Sequence, residues 1–298
     1  MRLFPQGTSS VSLFLGIMIS FTPYGLFLDQ QQYASDILSS AGFLNCKPLP
    51  TPITPRSSCS ATQDTLLLQP TNYRRLAGSL QYLTITRPGL AFATNQLCQH
   101  MHDPKPIHIQ ALKRVLRYIQ GTLDYGLPLC NSDLTLQTYV DADWASDSTD
   151  RKSISGFCTF LGQNLIFWSV KKQITIAKSS TETEYRALAA ATSDVIWLRR
   201  LLFDFDATPT GPTTIFCDNV SALALANNSV FHARTKHIEI YYHFISHHIK
   251  HGEISVQHIH SIDQSADILT KSLPINRFQH LRTKLTIRSK DSQFEGAC

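Results

Sequence analysis

From residue 134 onward the hydrophobic positions fall into a strand-rich order, with residues 134–140, 155–161 and 164–170 forming three alternating or apolar runs separated by polar loops. A long helical pattern follows over 181–203, where Tyr185, Leu188, Ala191, Val195, Leu198 and Leu202 recur at spacings of three and four. Ser179 and Thr181, three residues before Glu182 and Glu184, are capping-box signals at its start. The pattern then predicts a strand at 213–218, helices at 220–227 and 235–250, a strand at 253–258 and a short helix at 265–271. Interleaved strands and helices of this kind imply a mixed α/β layer fold.

The earlier part of the chain reads differently. Two apolar strands, 13–19 and 26–28, flank the turn Thr22-Pro23-Tyr24-Gly25, and a helix is expected over 30–41. The closely spaced prolines Pro48, Pro50, Pro52 and Pro55 block helix and sheet, so this stretch is read as a linker ending near residue 60. Residues 72–100 and 106–121 read as two helical blocks. In the second, Leu112, Val115, Leu116 and Ile119 form an apolar stripe, and Gly121 supplies a stop. Lys113, Arg114 and Arg117 line another face, either as solvated bases or as phosphate contacts along a nucleic-acid duplex.

Four acids stand where predicted strands end or helices begin: Asp141, Glu184, Asp218 and Asp267. Asp141 and Asp143, two apart on one strand, point to the same face. Any one of these acids, taken alone, reads as an ordinary N-cap or strand-end residue. Together they would converge above a sheet, and the chemistry that uses such a set is metal-assisted hydrolysis. Mg²⁺ takes oxygen ligands and binds through a few carboxylates plus substrate phosphates. Two such ions about 3.5–4 Å apart activate a water and stabilise the leaving oxygen of a phosphodiester.

These residues also carry a resemblance. Tyr139-Val140-Asp141-Ala142-Asp143-Trp144-Ala145, Ser155-Gly156-Phe157, Phe167-Trp168-Ser169-Val170-Lys171-Lys172-Gln173, Ser179-Ser180-Thr181-Glu182-Thr183-Glu184-Tyr185, Cys217-Asp218-Asn219, Lys236-His237-Ile238-Glu239 and Ala266-Asp267-Ile268-Leu269-Thr270-Lys271 are similar to the ribonuclease H domain of copia-type LTR retrotransposon Pol polyproteins. The resemblance implies a five-stranded ribonuclease H-like sheet with flanking helices. It places catalytic metal ligands at Asp141, Glu184, Asp218 and Asp267, with two Mg²⁺ ions for which Mn²⁺ can substitute. Asp141 and Asp218 would hold the first ion and Glu184 and Asp267 complete the pair, while Glu182 is assigned to the first helical turn, where the dipole favours an acid. Lys171, Lys172, Gln173, Asn219 and His237 are expected on the nucleic acid. His258 or His260 lies near the place of a histidine that aids product release. The block Tyr73 to Leu83 with Arg87-Pro88-Gly89-Leu90 resembles the segment connecting polymerase and nuclease, which adds weight to phosphate contacts by Arg114 and Arg117. Residues 14–34 resemble the hairpin and helix at the end of the family's reverse transcriptase.

The expected division is therefore a thumb remnant with its Pro-rich linker over 1–60, a helical connection over 61–132, a ribonuclease H-like domain over 133–288 and a loose tail over 289–298. The expected reaction is cleavage of the RNA strand of an RNA–DNA hybrid, with an upstream reverse transcriptase as a further partner. No Tyr-x-Asp-Asp pair is present, so polymerase activity is not expected. A catalytically silent nucleic-acid-binding remnant and a DNA-cleaving resolvase or integrase core are the alternatives; binding without metal-dependent cleavage would mark the first, and cutting of DNA-only substrates the second.

Composition changes this picture little. With 298 residues and 43 % hydrophobic content the chain is long and apolar enough for two domains. A formal charge of +5 leans toward polyanions. Seven scattered cysteines without a CxxC pair argue for a reducing compartment and against structural zinc, and the histidines between His232 and His260 lack a closed ligand pattern. Residues 11–21 could pass for a signal-peptide core, but no small-residue cleavage site follows, so an intracellular rather than secreted location is expected.

Overall fold

The computed structural model describes residues 12–54, 69–147, 149–209, 211–228 and 238–291. It divides into two units, one made of the residues up to Asn131 together with those from Ser272, the other of Ser132–Lys271.

In the second unit the alternating run becomes β5 (Leu136–Asp143), preceded in the first unit by the four strands given below; β6 (Ile154–Leu161) and β7 (Asn164–Lys172) follow it as an antiparallel meander. β8 (Thr213–Cys217) and β9 (Ile254–His258) then add parallel to β5 on its other side, giving the order β7-β6-β5-β8-β9. This mixed five-stranded sheet with flanking helices is the ribonuclease H-like arrangement. The parallel connection between β5 and β8 requires a crossover, which is supplied by the helix Ser180–Asp204. Its stripe Tyr185, Leu188, Ala191 and Val195 is buried in one core with Val140, Ala142, Ile215 and Cys217 of the sheet, and Leu198 is buried further along. Small residues at Ala187, Ala189 and Ala191 let helix and sheet approach closely. Two shorter helices, Val220–Asn227 and Glu239–Lys250, pack on the long helix and on β8 and β9. The final helix expected near 265–271 is instead a 3-10 turn, Ser265–Leu269, lying on β5 and β6.

The first unit is one body and not the two expected segments. β1 (Ser12–Phe14), β2 (Ile17–Thr22) and β3 (Gly25–Asp29) form an antiparallel meander, and β4 (Tyr125–Cys130) pairs with β3 along its whole length. The expected strand over 13–19 is broken because Leu15 and Gly16 take φ of 48° and 72°, a two-residue turn that makes a hairpin of it. The first four helices are α1 (Gln31–Ala41), α2 (Pro70–Leu83), α3 (Ala91–Cys98) and α4 (Pro106–Gln120), and those of the second unit are α5 (Ser180–Asp204), α6 (Val220–Asn227) and α7 (Glu239–Lys250). α1 packs on α2 and α4, and α3 on the same two helices, around Tyr73, Leu76, Leu80, Leu112, Leu116 and Ile119. The Pro-rich stretch is fastened to this body: Arg114 Nη2 donates to Thr51 Oγ1 at 2.7 Å and Arg117 Nε to the Lys47 carbonyl at 2.7 Å. The boundary expected near residue 60 lies outside the described residues, and those on either side of it, up to 54 and from 69, fall in one unit. The expected domain over 133–288 is also too long, because α8 (Ile275–Lys284) and β10 (Arg288–Ser289) belong to the first unit. β10 pairs with β4, and the Arg282 guanidinium lies 4.6 Å from the centroid of the Tyr125 ring.

Among the described residues no helix is long and apolar enough to cross a membrane.

Candidate active site

Asp141 lies near the end of β5, and its neighbours in the strand face the other way: Val140 and Ala142 enter the core under α5, while Asp141 meets the stretch that follows the 3-10 turn. Gly156 is its cross-strand partner on β6. A Cβ at Gly156 would stand 2.7 Å from Thr270 Cγ2 and 2.8 Å from Leu269 Cβ, so only glycine lets this segment settle over the strand. Thr270 Oγ1 donates to Asp141 Oδ2 in a short hydrogen bond, and Lys271 Nζ donates to Asp141 Oδ1 at 2.9 Å.

Glu184 reaches the same place from the start of α5. Ser179 caps that helix by accepting from the Glu182 amide, and the buried Glu182 carboxylate accepts from the Lys178 amide and pairs with Arg186. Glu182 is thus spent on the helix start, whereas Glu184 Oε1 accepts from the Ala142 amide at 3.3 Å. Asp218 follows β8 directly, and Asn219 caps α6 by accepting from the Ala222 amide at 2.9 Å. Ser261 Oγ donates to Asp218 Oδ2 at 2.8 Å. One oxygen from each of Asp141, Glu184 and Asp218 lies within 4.8 Å of the others. Asp267 joins through Lys271, whose Nζ also donates to Asp267 Oδ1 at 2.7 Å. Gln264 fixes the segment that carries it, donating from Nε2 to the Val140 carbonyl at 2.9 Å and accepting from the Ala266 amide.

Burial raises the Asp141 carboxyl to about 6, with Asp267 adding to the rise and Lys271 and Thr270 opposing it. Burial and the neighbouring Asp141 and Asp218 hold Glu184 well above the usual carboxylate range. Burial works against the Lys271 ammonium, but Asp141 and Asp267 outweigh it and its pKa rises. Two carboxylates, Asp141 and Asp267, thus share one ammonium while Glu184 and Asp218 crowd Asp141, an arrangement that favours added positive charge. Cys217 Sγ lies 4.0 Å from Glu184 Oε2, and burial raises its thiol, so it stays neutral and is no rival to the oxygen donors.

The expected nucleic-acid contacts fare unevenly. Lys172 is drawn to Asp147 Oδ2 at 2.5 Å and Asp150 Oδ2 at 3.0 Å, and Gln173 Nε2 donates to Ser155 Oγ and the Thr183 carbonyl. Arg114 and Arg117 hold the Pro-rich stretch. These four side chains are engaged within the protein, by partners that lie elsewhere in the sequence. Lys171 is exposed. His237 lies outside the described residues, as does His232. His258 and His260 are exposed at and just after the end of β9, ring centroids 5.4 Å apart. Thr270, Lys271, Ser261 and Gln264 receive no role from the sequence; Thr270 and Lys271 stand in the family motif without one, and the Asp267–Lys271 spacing of four reads as an ordinary helical ion pair.

Comparison with known proteins gives a relative 44 % identical over 275 residues, 92 % of this chain: the retrovirus-related Pol polyprotein from transposon RE1 of Arabidopsis thaliana. The chain belongs to the family of copia-type retrotransposon Pol polyproteins. It spans 19 % of the length of that polyprotein. An uncharacterized mitochondrial protein of the same plant is 48 % identical over 188 residues, covering 63 % of this chain and 78 % of that protein. No family model matches the chain. Among solved structures, the N-terminal ribonuclease H domain of a Mycobacterium tuberculosis protein aligns with 51 % of this chain and 98 % of that chain, at 11 % identity and a TM-score of 0.36. The sheet order of the second unit, and not that score, carries the fold assignment of this part of the Pol chain.

Proposed function

We propose that the second unit is a metal-dependent ribonuclease that hydrolyses the RNA strand of an RNA–DNA hybrid, leaving a 3′-hydroxyl and a 5′-phosphate. The observation that supports this most directly is the convergence of Asp141, Glu184 and Asp218, from two central strands and one helix start, to within 4.8 Å. All the donors are carboxylate oxygens, two of the three residues are buried, and like charges crowd them, which fits a hard divalent cation and no soft one. Asp141 and Asp218 would hold the first ion, with Glu184 and Asp267 completing a pair.

Bound Mg²⁺ or Mn²⁺ would supply a nucleophilic water and neutralise the charge on the phosphodiester. The protein's share is positioning. The Ala142 amide orients Glu184, Ser261 orients Asp218, and Thr270 fixes the plane of the Asp141 carboxylate. Exposed Lys171, with Asn219 beside Asp218, remains for contact with the nucleic-acid backbone. The partners proposed are an RNA–DNA hybrid and, in the longer polyprotein, a reverse transcriptase.

Asp218→Asn tests the site. It removes a charge at a partly exposed position without changing side-chain volume, so the fold should persist by circular dichroism. Hybrid cleavage should fall by about 10²-fold or more. A variant that keeps most of its activity would remove Asp218 from the mechanism.

A further inference from the structure

Lys271 stands where the proposed metal site needs positive charge. Its ammonium is 2.9 Å from Asp141 Oδ1 and 2.7 Å from Asp267 Oδ1, so it bridges the two carboxylates that arrive from different parts of the chain. Its backbone is fixed by an amide hydrogen bond to the Asp267 carbonyl at 2.9 Å, while about a third (35 %) of its side chain is exposed. The anchored end is thus rigid and the charged end has a route to solvent. The neighbouring Thr270 hydroxyl takes the other oxygen of Asp141, so one dipeptide engages both oxygens of the most buried acid in the cluster.

We infer that Lys271 is a built-in cation that holds the Asp141–Asp267 side of the site closed to a second divalent ion, so that this ion binds only by displacing the ammonium. The inference rests on the proposed metal-dependent reading and deepens it by making the two ions unequal. A divalent ion on these oxygens would sit roughly 2.0–2.1 Å from them. The ammonium, hydrogen-bonded to the same atoms, would then be forced against a like charge at close range. Both cannot stay. On the Asp218 side of the group the hydrogen-bond donors are neutral, the Ala142 amide to Glu184, the Ser261 hydroxyl to Asp218 and the Thr270 hydroxyl to Asp141 Oδ2, so a first ion there displaces no hydrogen-bonded ammonium. Lys271 is a positioning residue in this account: it keeps Asp141 and Asp267 together without the second ion and yields when that ion arrives.

Calorimetric titration of the full chain with Mn²⁺ tests this, using wild type, Lys271→Met, Lys271→Gln and Lys271→Arg, each checked for folding by circular dichroism. Removing the ammonium should tighten the weaker binding event by about tenfold or more, the worth of displaced charge-assisted hydrogen bonds. The stronger event should change little, and Lys271→Arg should keep the wild-type gap. If wild type takes up a single ion, a second event appearing in Lys271→Met or Lys271→Gln supports the inference equally. A purely structural lysine would give the opposite sign, weakening both events on removal. Unchanged or weaker second binding in folded Lys271→Met and Lys271→Gln overturns the inference while leaving the first metal site standing. Absence of any Mn²⁺ binding to wild type overturns both readings together.

Discussion

Asp147 shows how a residue far from the carboxylate cluster is set by partners that spacing hides. Burial pushes its carboxyl up, but the Lys172 ammonium and the Thr149 amide pull it down to about 2. A carboxyl whose folded pKa lies below its ordinary 3.8 adds stability that is present above 3.8 and lost as pH falls toward 2. Carbon-detected titration should therefore show Asp147 ionised down to about pH 2, and Lys172→Met should return it toward 3.8; no change in that variant would mean the pair is not formed in solution. The same long-range pairing separates what the sequence reveals about the site from what it hides. Asp141, Glu184 and Asp218 are legible as a set because each lies near the end of a strand or the start of a helix whose periodicity is plain, whereas Asp267 sits in a short 3-10 turn and is picked out by the family motif. Lys271 and Ser261 are not, since their contacts with Asp141 and Asp218 join residues 130 and 43 positions apart. Lys172, Arg114 and Arg117 look like free bases for the same reason: their partners lie 25, 63 and 70 positions away.

At the scale of elements, two small residues decide whether the cluster assembles. Gly156→Ala would drive a methyl group against Thr270 and Leu269, the residues that lead into Lys271, so it should cost roughly 1–3 kcal/mol and weaken Mn²⁺ binding. Wild-type stability and metal affinity in that variant would show that the segment does not need this close approach. Ser179→Ala removes the cap of α5, which positions Glu184, and should cost about 1 kcal/mol in chemical denaturation. Elements with strong periodicity, such as α4, α5 and the β5–β7 meander, are readable from sequence to within a few residues. β4 is not, because Gly126 and Pro128 argue against a strand. Pro128 is tolerated there since β10 pairs only with Tyr125 and Gly126, leaving the proline beyond that ladder. α8 is hidden by its polarity, with Phe278 and Leu281 as its buried residues.

On the scale of the whole molecule, the chain leaves the first unit at Asn131, builds the ribonuclease H-like unit and returns at Ser272. The linear order of family segments suggests a thumb remnant, a connection and a nuclease in series, but strand pairing between residues 25–29 and 126–130 joins the first two, and α8 with β10 returns to them. Leu281→Ala should therefore destabilise the first unit by about 2–5 kcal/mol, seen as faster hydrogen exchange in α2 and α4, while Mn²⁺ binding by the second unit is unchanged. Loss of metal binding in that variant would contradict the division. The central claim is chemical, and one assay reaches it: incubation of the purified chain with a labelled RNA–DNA hybrid in Mg²⁺ or Mn²⁺ against EDTA, beside duplex RNA and duplex DNA. Cutting of the RNA strand of the hybrid alone, abolished by EDTA and by Asp218→Asn, is the predicted result. A folded chain that leaves the hybrid intact in both metals, or that cuts duplex DNA instead, would contradict it.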